Sequence, residues 1–509
     1  MKKIIEKIKQ LQLQQYSLCA ILILAAILRF TGLVRRDLWY DEAFTGVAVK
    51  EEFSSMIAMI INDVHPPLYY IFLKGFSFFF DYNVFGIRLF SAIFGLASVW
   101  ALYILAKELF DAKTARYAAL IAAISPLAVQ YSQEARMYAM LVFFILIASY
   151  FFIKGLKTNK YKYFFWGGIF TGLSMLTHYM GIIFSSLYYP VFIIWNLSDQ
   201  KMLAIQGVKE KLTILFKKII PTNQILFGYV TIFLVFLPWL KMFIHHISIK
   251  GNNLSWVKPA NLGDFAVMIQ MFLFGTPLGE LSSGMPQPNE LSGIAHISIR
   301  MVIAMLLGIG IVYLSRRYAK NKIAALLIFS LGFMFVIYSL SATMADQQYF
   351  VARYLLPGAF FIFIFIGLWL SQLKWQIVTG IFGIYIFLIS LIVPLSNSKG
   401  YNEMISHLDK YRNSNFYILN SFDYVIAKYY LGDEKLTLYN YDWPGYNPDF
   451  WAAIGKDLKR TENFDNLKND PKALIISNKP LTRDNQYFST KDLVLVDQYK
   501  NILVYKFQR

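Results

Sequence analysis

Eleven apolar segments, most of them near membrane-crossing length and divided by short charged loops, recur between Ser17 and Leu395, and nothing else constrains the chain so tightly. A helix crossing the hydrocarbon core needs about 20 apolar residues, because each backbone polar group must find its partner inside the segment. The segments are Ser17–Val34, Gly86–Ala106, Tyr117–Val129 with its flanks, Met137–Ile153, Phe164–Leu176, Gly181–Trp195, Gln224–Leu240, Ile297–Leu314, Ile323–Leu340, Tyr354–Leu370 and Gln376–Leu395. They predict a polytopic α-helical membrane protein with about 11 transmembrane helices. A content of 57% hydrophobic and only 16% charged residues agrees, since soluble domains carry more charge. The one cysteine, Cys19, excludes an intramolecular disulfide, an iron–sulfur centre and a cysteine-based zinc site. Lys2, Lys3, Lys7 and Lys9 lead into Ser17–Val34 in the manner of a signal peptide. No small-residue cleavage site follows and Arg29 interrupts the apolar run, so the segment reads as an uncleaved first helix.

The net charge of +18 is an orientation signal. Alternate loops are basic: the N-terminus, then Lys107, Lys113 and Arg116, then Lys154, Lys157, Lys160 and Lys162, then Lys201, Lys209, Lys211, Lys217 and Lys218, then Arg316, Arg317, Lys320 and Lys322. The positive-inside rule places these in the cytoplasm and the intervening loops outside. The tail 396–509 holds only +2 of the total, leaving +16 in the membrane part. Positives spread over short loops, not gathered on one basic face, argue against nucleic acid.

Two predicted outer loops are long. Residues 35–85 contain Ser54–Ile61 and Pro67–Phe80, and residues 241–296 contain Phe265–Phe274, all too short to span and suited to the interface. Residues 1–395 therefore form the membrane domain. Beyond Leu395 the runs Asn415–Asn420, Leu436–Asn440, Ala473–Ser477, Asp492–Asp497 and Ile502–Phe507 read as short strands of a small extracytoplasmic α/β domain over 396–509.

The unusual polar residues gather at the predicted outer ends of the helices. Asp41 and Glu42 lie among Trp39, Tyr40 and Phe44, where partial desolvation makes a carboxylate a better general base; the pair could equally cap an interfacial helix. His65, followed by Pro66 and Pro67, could touch phosphate or a metal, or mark a structural turn. The run Gln133-Glu134-Ala135-Arg136 opens the fourth helix, where Glu134 could orient Arg136 and Arg136 could grip an anion, or simply snorkel. Arg353 invites the same reading, with Arg29 and Arg88 as weaker candidates; His178, His245 and His246 fall on the same side. No Walker loop, GxGxxG or HExxH occurs, which disfavours a nucleotide-driven pump and a zincin.

An Asp-Glu pair in the first outer loop, HPPLYY after it, Arg88 heading the second helix, YSQEARMY before the fourth and RYLLP before the tenth together resemble the GT-C glycosyltransferases of the protein mannosyltransferase, aminoarabinose transferase and glycosyltransferase family 39 group. The resemblance implies transfer of a sugar from a polyprenyl-phosphate donor to a lipid, glycan or protein acceptor on the extracytoplasmic side, with inversion. It implies Asp41 as base, with Glu42 orienting the acceptor or helping a divalent cation. It also implies Arg136 and Arg353, with His65, on the lipid phosphate; Glu134, Tyr138 and Arg88 would support them. A metal, where the family uses one, would draw on Asp41, Glu42 and His65. Lys74, Lys241 and Lys258 are candidates for the additional phosphate lysine that some members carry. Without the β-trefoil-like repeats of the eukaryotic enzymes, the tail suggests a bacterial inner-membrane enzyme. The competing classes are a lipid-linked-sugar flippase, which usually shows internal repeats, and a non-catalytic scaffold.

Overall fold

The computed structural model describes residues 2–63, 65–197, 218–248, 260–261, 263–275, 305, 308–343, 349–392, 400–411, 413–418, 421–432, 436–439, 460–461, 464–477, 481, 493–499 and 502–508. The basic loop through Lys201, Lys209, Lys211 and Lys217, the candidate Lys258 and most of Ile297–Leu314 lie outside them. The chain divides into two compact units, one built from Met1–Thr31 and Ser91–Pro394, the other from Gly32–Phe90 and Leu395–Arg509.

The chain opens with α1 (Lys2–Phe30), α2 (Tyr40–Lys50), α3 (Phe53–Asn62), α4 (Leu68–Ser77) and the long α5 (Val84–Leu109). It continues through α6 (Ala112–Ile124), α7 (Pro126–Ser132), α8 (Tyr138–Thr158), α9 (Tyr161–Thr177), α10 (Met180–Ser186) and α11 (Tyr188–Leu197). Next come α12 (Asn223–Phe236), α13 (Leu240–Ser248), α14 (Asp264–Phe274), α15 (Lys320–Leu327), α16 (Phe333–Thr343), α17 (Ala352–Leu370) and α18 (Trp375–Ile392). Among the described residues six helical stretches are long and apolar enough to cross a membrane: Val84–Leu109, Tyr138–Thr158, Met180–Leu197, Asn223–Ser248, Lys320–Ala342 and Ala352–Leu370. Other expected spans prove shorter: Tyr16–Phe30 and Trp375–Ser390 form apolar helices below that length, and α9 has 17 residues. As expected, α3, α4 and α14 are apolar helices too short to span.

The expected span Tyr117–Val129 is broken at Ser125-Pro126. Pro126 has no N–H to continue the ladder, so α6 stops; Ser125 accepts from the Ala128 amide and Pro126 takes the first position of α7. The break leaves carbonyls without helical partners, and Arg29 covers two of them. From α1 its buried guanidinium donates to Ala123 O at 3.0 Å and Ala122 O at 2.9 Å. Within this unit α9 packs between α8 and α12, and α17 lies along α6. Gly367 permits the last contact: a Cβ there would stand 2.6 Å from Ala118 N and 2.9 Å from Thr114 O, so only glycine lets the two backbones approach.

In the second unit the tail contributes α19 (Tyr401–Ile405), α20 (Ser421–Leu431), α21 (Phe464–Asn469) and the strands β1 (Asn415–Ile418), β2 (Leu436–Tyr439), β3 (Arg460–Thr461), β4 (Ala473–Ser477), β5 (Leu493–Tyr499) and β6 (Ile502–Phe507). The sheet order is β3-β2-β1-β4-β6-β5. β1 pairs in parallel with β2 and β4, β2 with β3, and β6 runs antiparallel to β4 and β5. Five of these strands coincide with the apolar runs read from sequence; β3, two residues long, leaves no such pattern. Tyr417, Leu467, Ile475, Leu503 and Phe507 form one core of the sheet. The first loop, residues 32–90, folds with this domain: α2 packs on α20 as well as on α3 and α4.

Candidate functional site

Asp41 and Glu42 occupy the first turn of α2, where carboxylates complement the exposed amides and positive end of the helix. Their surroundings then separate them. Glu42 is 1% exposed and accepts from Arg88 at both oxygens, Nε at 2.7 Å and a terminal nitrogen at 2.6 Å. The other Arg88 donors go to Leu33 O at 2.6 Å, Arg36 O at 2.8 Å and Asp37 O at 3.0 Å, so its guanidinium is fully engaged within the protein. Asp41, one residue earlier, keeps part of its surface accessible. The family resemblance implies Glu42 on the acceptor or a cation and Arg88 in a supporting role; the structure joins them in a buried bidentate pair.

His65 is buried, with Nδ1 2.8 Å from Asp63 Oδ2, which leaves Nε2 as the ring nitrogen facing elsewhere. Lys74, a candidate phosphate lysine, instead caps α2 by donating to Val49 O at 3.0 Å and Glu51 O at 2.5 Å. Burial lowers its pKa, opposed by the charges of Glu51 and Glu52. Among the described residues no three of His, Cys, Asp and Glu come together in a group able to hold a metal ion. Of the three metal candidates, Glu42 is engaged at both oxygens by Arg88, and His65 holds Asp63 through Nδ1.

In the membrane unit Glu134, Tyr138 and Arg353 gather around Tyr131. Its buried hydroxyl lies within electrostatic reach of Glu134, Arg353, Tyr138 and Tyr354. Arg353 sits in the first turn of α17, buried, with its guanidinium carbon 5.2 Å from the centre of the Tyr354 ring. Gln133-Glu134-Ala135-Arg136 forms the bend between α7 and α8, not the opening of α8, which begins at Tyr138. Gln133 reaches back to the end of α1, donating to Leu28 O at 3.0 Å and to Thr31 O, just past the helix, at 2.9 Å. Glu134 accepts from Gln130 Nε2 at 3.2 Å. Arg136, buried in the same bend, accepts at its carbonyl from Ser91 Oγ at 3.1 Å.

His178, left outside the predicted site, belongs to this group. It ends α9, and its ring packs 5.9 Å from Tyr138 and 5.1 Å from Tyr354. Its Nδ1 accepts from the Met180 amide at 3.1 Å, which fixes the tautomer with the proton on Nε2. The sequence signal was a histidine between two helical runs, at the same predicted membrane end as Arg136 and Arg353.

A helical membrane unit, a first loop of short apolar helices and a C-terminal α/β sheet make up a GT-C-like fold, and the chain is an integral membrane protein. Residues 64–241 match the family model of dolichyl-phosphate-mannose-protein mannosyltransferases. The crystal structure of ArnT from Cupriavidus metallidurans bound to undecaprenyl phosphate superposes with a TM-score of 0.59 at 12% identity, over 96% of this chain and 97% of that one. The apo state of the same enzyme gives the same values. A 130-residue stretch is 30% identical to the protein named "Putative mannosyltransferase YkcB" of Bacillus subtilis (strain 168), covering 25% of this chain and 18% of that protein.

Proposed function

We propose that the protein transfers one sugar from a polyprenyl-phosphate donor to a lipid, glycan or protein acceptor at the extracytoplasmic face, with inversion at the anomeric carbon. The observation that carries this reading is the division of labour on α2. Arg88 holds both oxygens of Glu42, while its neighbour Asp41 retains accessible surface at the head of the same helix. Asp41 takes the proton of the acceptor hydroxyl as that oxygen attacks the anomeric carbon. The bond from carbon to phosphate oxygen breaks, and its electron pair leaves on the lipid phosphate. Arg353 and Arg136 meet the charge that develops there, with His65 as a weaker third candidate for the same role. Bond making and breaking on opposite faces of the sugar produce the inversion. The N-terminus lies in the cytoplasm and the tail outside, in the order set by the basic loops, in a bacterial inner membrane.

Undecaprenyl phosphate, bound by the ArnT structure of the same fold, supports a polyprenyl-phosphate donor. The names of the matching family model and of YkcB make mannose the first sugar to try. The test is transfer by the purified chain from polyprenyl-phosphate mannose, with other lipid-linked sugars alongside, into membrane extracts, with the product identified by mass spectrometry. Asp41→Asn should bind donor and fail to transfer; full transfer by that variant, or none by the parent with any lipid-linked sugar, defeats the reading.

A further inference from the structure

We infer that the tail is a working part of the transfer machinery: helix α20 sets the position of α2, and Tyr430 and Tyr429 are positioning residues for Asp41. The inference rests on reading Asp41 as the base.

The helix that carries Asp41 is held from within the first loop by Arg88 on Glu42 and by Lys74 at the C-terminal end. Its N-cap, Trp39, makes no side-chain capping bond. The tail adds a second set of anchors, and three consecutive residues of α20, Lys428, Tyr429 and Tyr430, supply most of them. Ahead of α2, the Leu38 amide donates to Tyr430 Oη at 3.0 Å, and Asp37 Oδ2 accepts from the Tyr401 amide of α19 at 2.7 Å. The entry to α2 is thus tied to the tail at two successive residues, and Arg88 holds Asp37 O from the other side. At mid-helix the Tyr429 ring lies on Gly46, so closely that a Cβ there would be 2.4 Å from the ring. At the far end Lys50 donates to Tyr429 O at 2.9 Å with its ammonium 3.8 Å from the centre of the Tyr429 ring, and Lys428 approaches Glu51 at 3.9 Å. Tyr429 Oη also donates to Tyr82 O at 2.8 Å, fixing the loop beyond α4.

Three contacts at the two ends and the middle of an 11-residue helix determine where it lies and how it is rotated about its axis. Asp41 sits in the first turn, three residues past Leu38, the second of the two tethered residues, so any slip of that segment moves the carboxylate. A proton transfer in the transition state tolerates little displacement, whereas donor binding through groups elsewhere tolerates it.

The experiment compares the full-length parent with Tyr430→Phe, which deletes only the hydroxyl accepting from Leu38, with Gly46→Ala, which drives α2 away from Tyr429, and with Asp41→Asn. Steady-state transfer gives kcat and KM for donor and acceptor, and thermal melting gives the folded state. For Tyr430→Phe and Gly46→Ala we expect kcat to fall about tenfold or more, with donor KM unchanged and the melting transition retained. Parental kcat in both, with Asp41→Asn inactive, overturns the positioning role alone. Loss of kcat only in step with loss of folded protein in both variants overturns it as well. Full transfer by Asp41→Asn removes the base assignment and the inference with it.

Discussion

Arg88 and Glu42 stand 46 residues apart in sequence and meet through hydrogen bonds of 2.7 and 2.6 Å, each side chain 1% exposed. A buried pair of this kind is costly to break from one side only, because the surviving charge is left without compensation. Glu42→Ala should therefore destabilise the unit containing the first loop and tail by about 3–5 kcal/mol. Arg88→Lys should not restore it, since an ammonium cannot satisfy a carboxylate and three carbonyls in one plane. Thermal melting of the full chain in detergent checks both, and a Glu42→Gln variant with parental stability would show that the pair is expendable.

Arg29 presents the opposite case, an intramembrane charge that serves the fold. Its donors cap the end of α6 where Pro126 breaks the helix. Arg29→Lys can still reach one carbonyl but not both, and should lower stability by about 1–3 kcal/mol, the cost of leaving a buried polar group unsatisfied. Transfer per folded molecule should stay at the parental rate. A donor KM raised tenfold in a fully folded Arg29→Lys would instead put this guanidinium on the lipid phosphate.

These two arginines show where the sequence was readable and where it was not. Length and hydropathy are local properties, so runs such as Gly86–Ala106, Met137–Ile153 and Tyr354–Leu370 reappear within α5, α8 and α17, and the period of the tail's apolar runs reappears as five strands. Pairings across 46 or 94 residues leave no local trace, and Arg88 and Arg29 looked alike as charges in apolar runs. The break at Ser125-Pro126 was legible in principle, as a serine N-cap followed by proline at the first helical position, but unbroken hydropathy masked it. That α2 folds with the tail depends on Tyr429 and Tyr430, two residues whose type alone says nothing about their partner.

Arg353 and His178 share the ring of Tyr354, which places a fixed cation beside a histidine of defined tautomer. Arg353→Ala should reduce kcat by about 10² to 10³, the range for removing one donor to a developing oxyanion, and Arg353→Lys should recover part of it. His178→Phe keeps the ring contacts but leaves the Met180 amide without its acceptor, and should cost about 1–3 kcal/mol of stability. Kinetics with a polyprenyl-phosphate sugar, read beside melting curves, separate the two effects. An Arg353→Ala variant with parental kcat would take that residue off the leaving group.

The tail should carry its own acid sensitivity. The Asp497 carboxyl is held below the ordinary carboxylate value by hydrogen bonds from Lys410, at 2.6 Å, and from Tyr411. Asp470 is also lowered: burial opposes this, but bonds from Asn415, the Lys472 amide and Tyr417 prevail. A carboxyl whose pKa is depressed in the folded chain contributes stability above its unfolded value of about 3.9 and loses it as pH falls through the folded value. Stability of the sheet should thus be flat from pH 7 to about 5 and decline below about 4, as these two carboxylates take up protons. Asp497→Asn should start lower at pH 7 and fall less steeply, because the variant has no proton to gain at that position. Melting curves of the full chain at half-unit steps between pH 3 and 7, on a scale of about four units around the carboxylate range, check this. Identical pH profiles for parent and variant would mean that the contacts of Asp497 with Lys410 and Tyr411 contribute nothing to the folded tail.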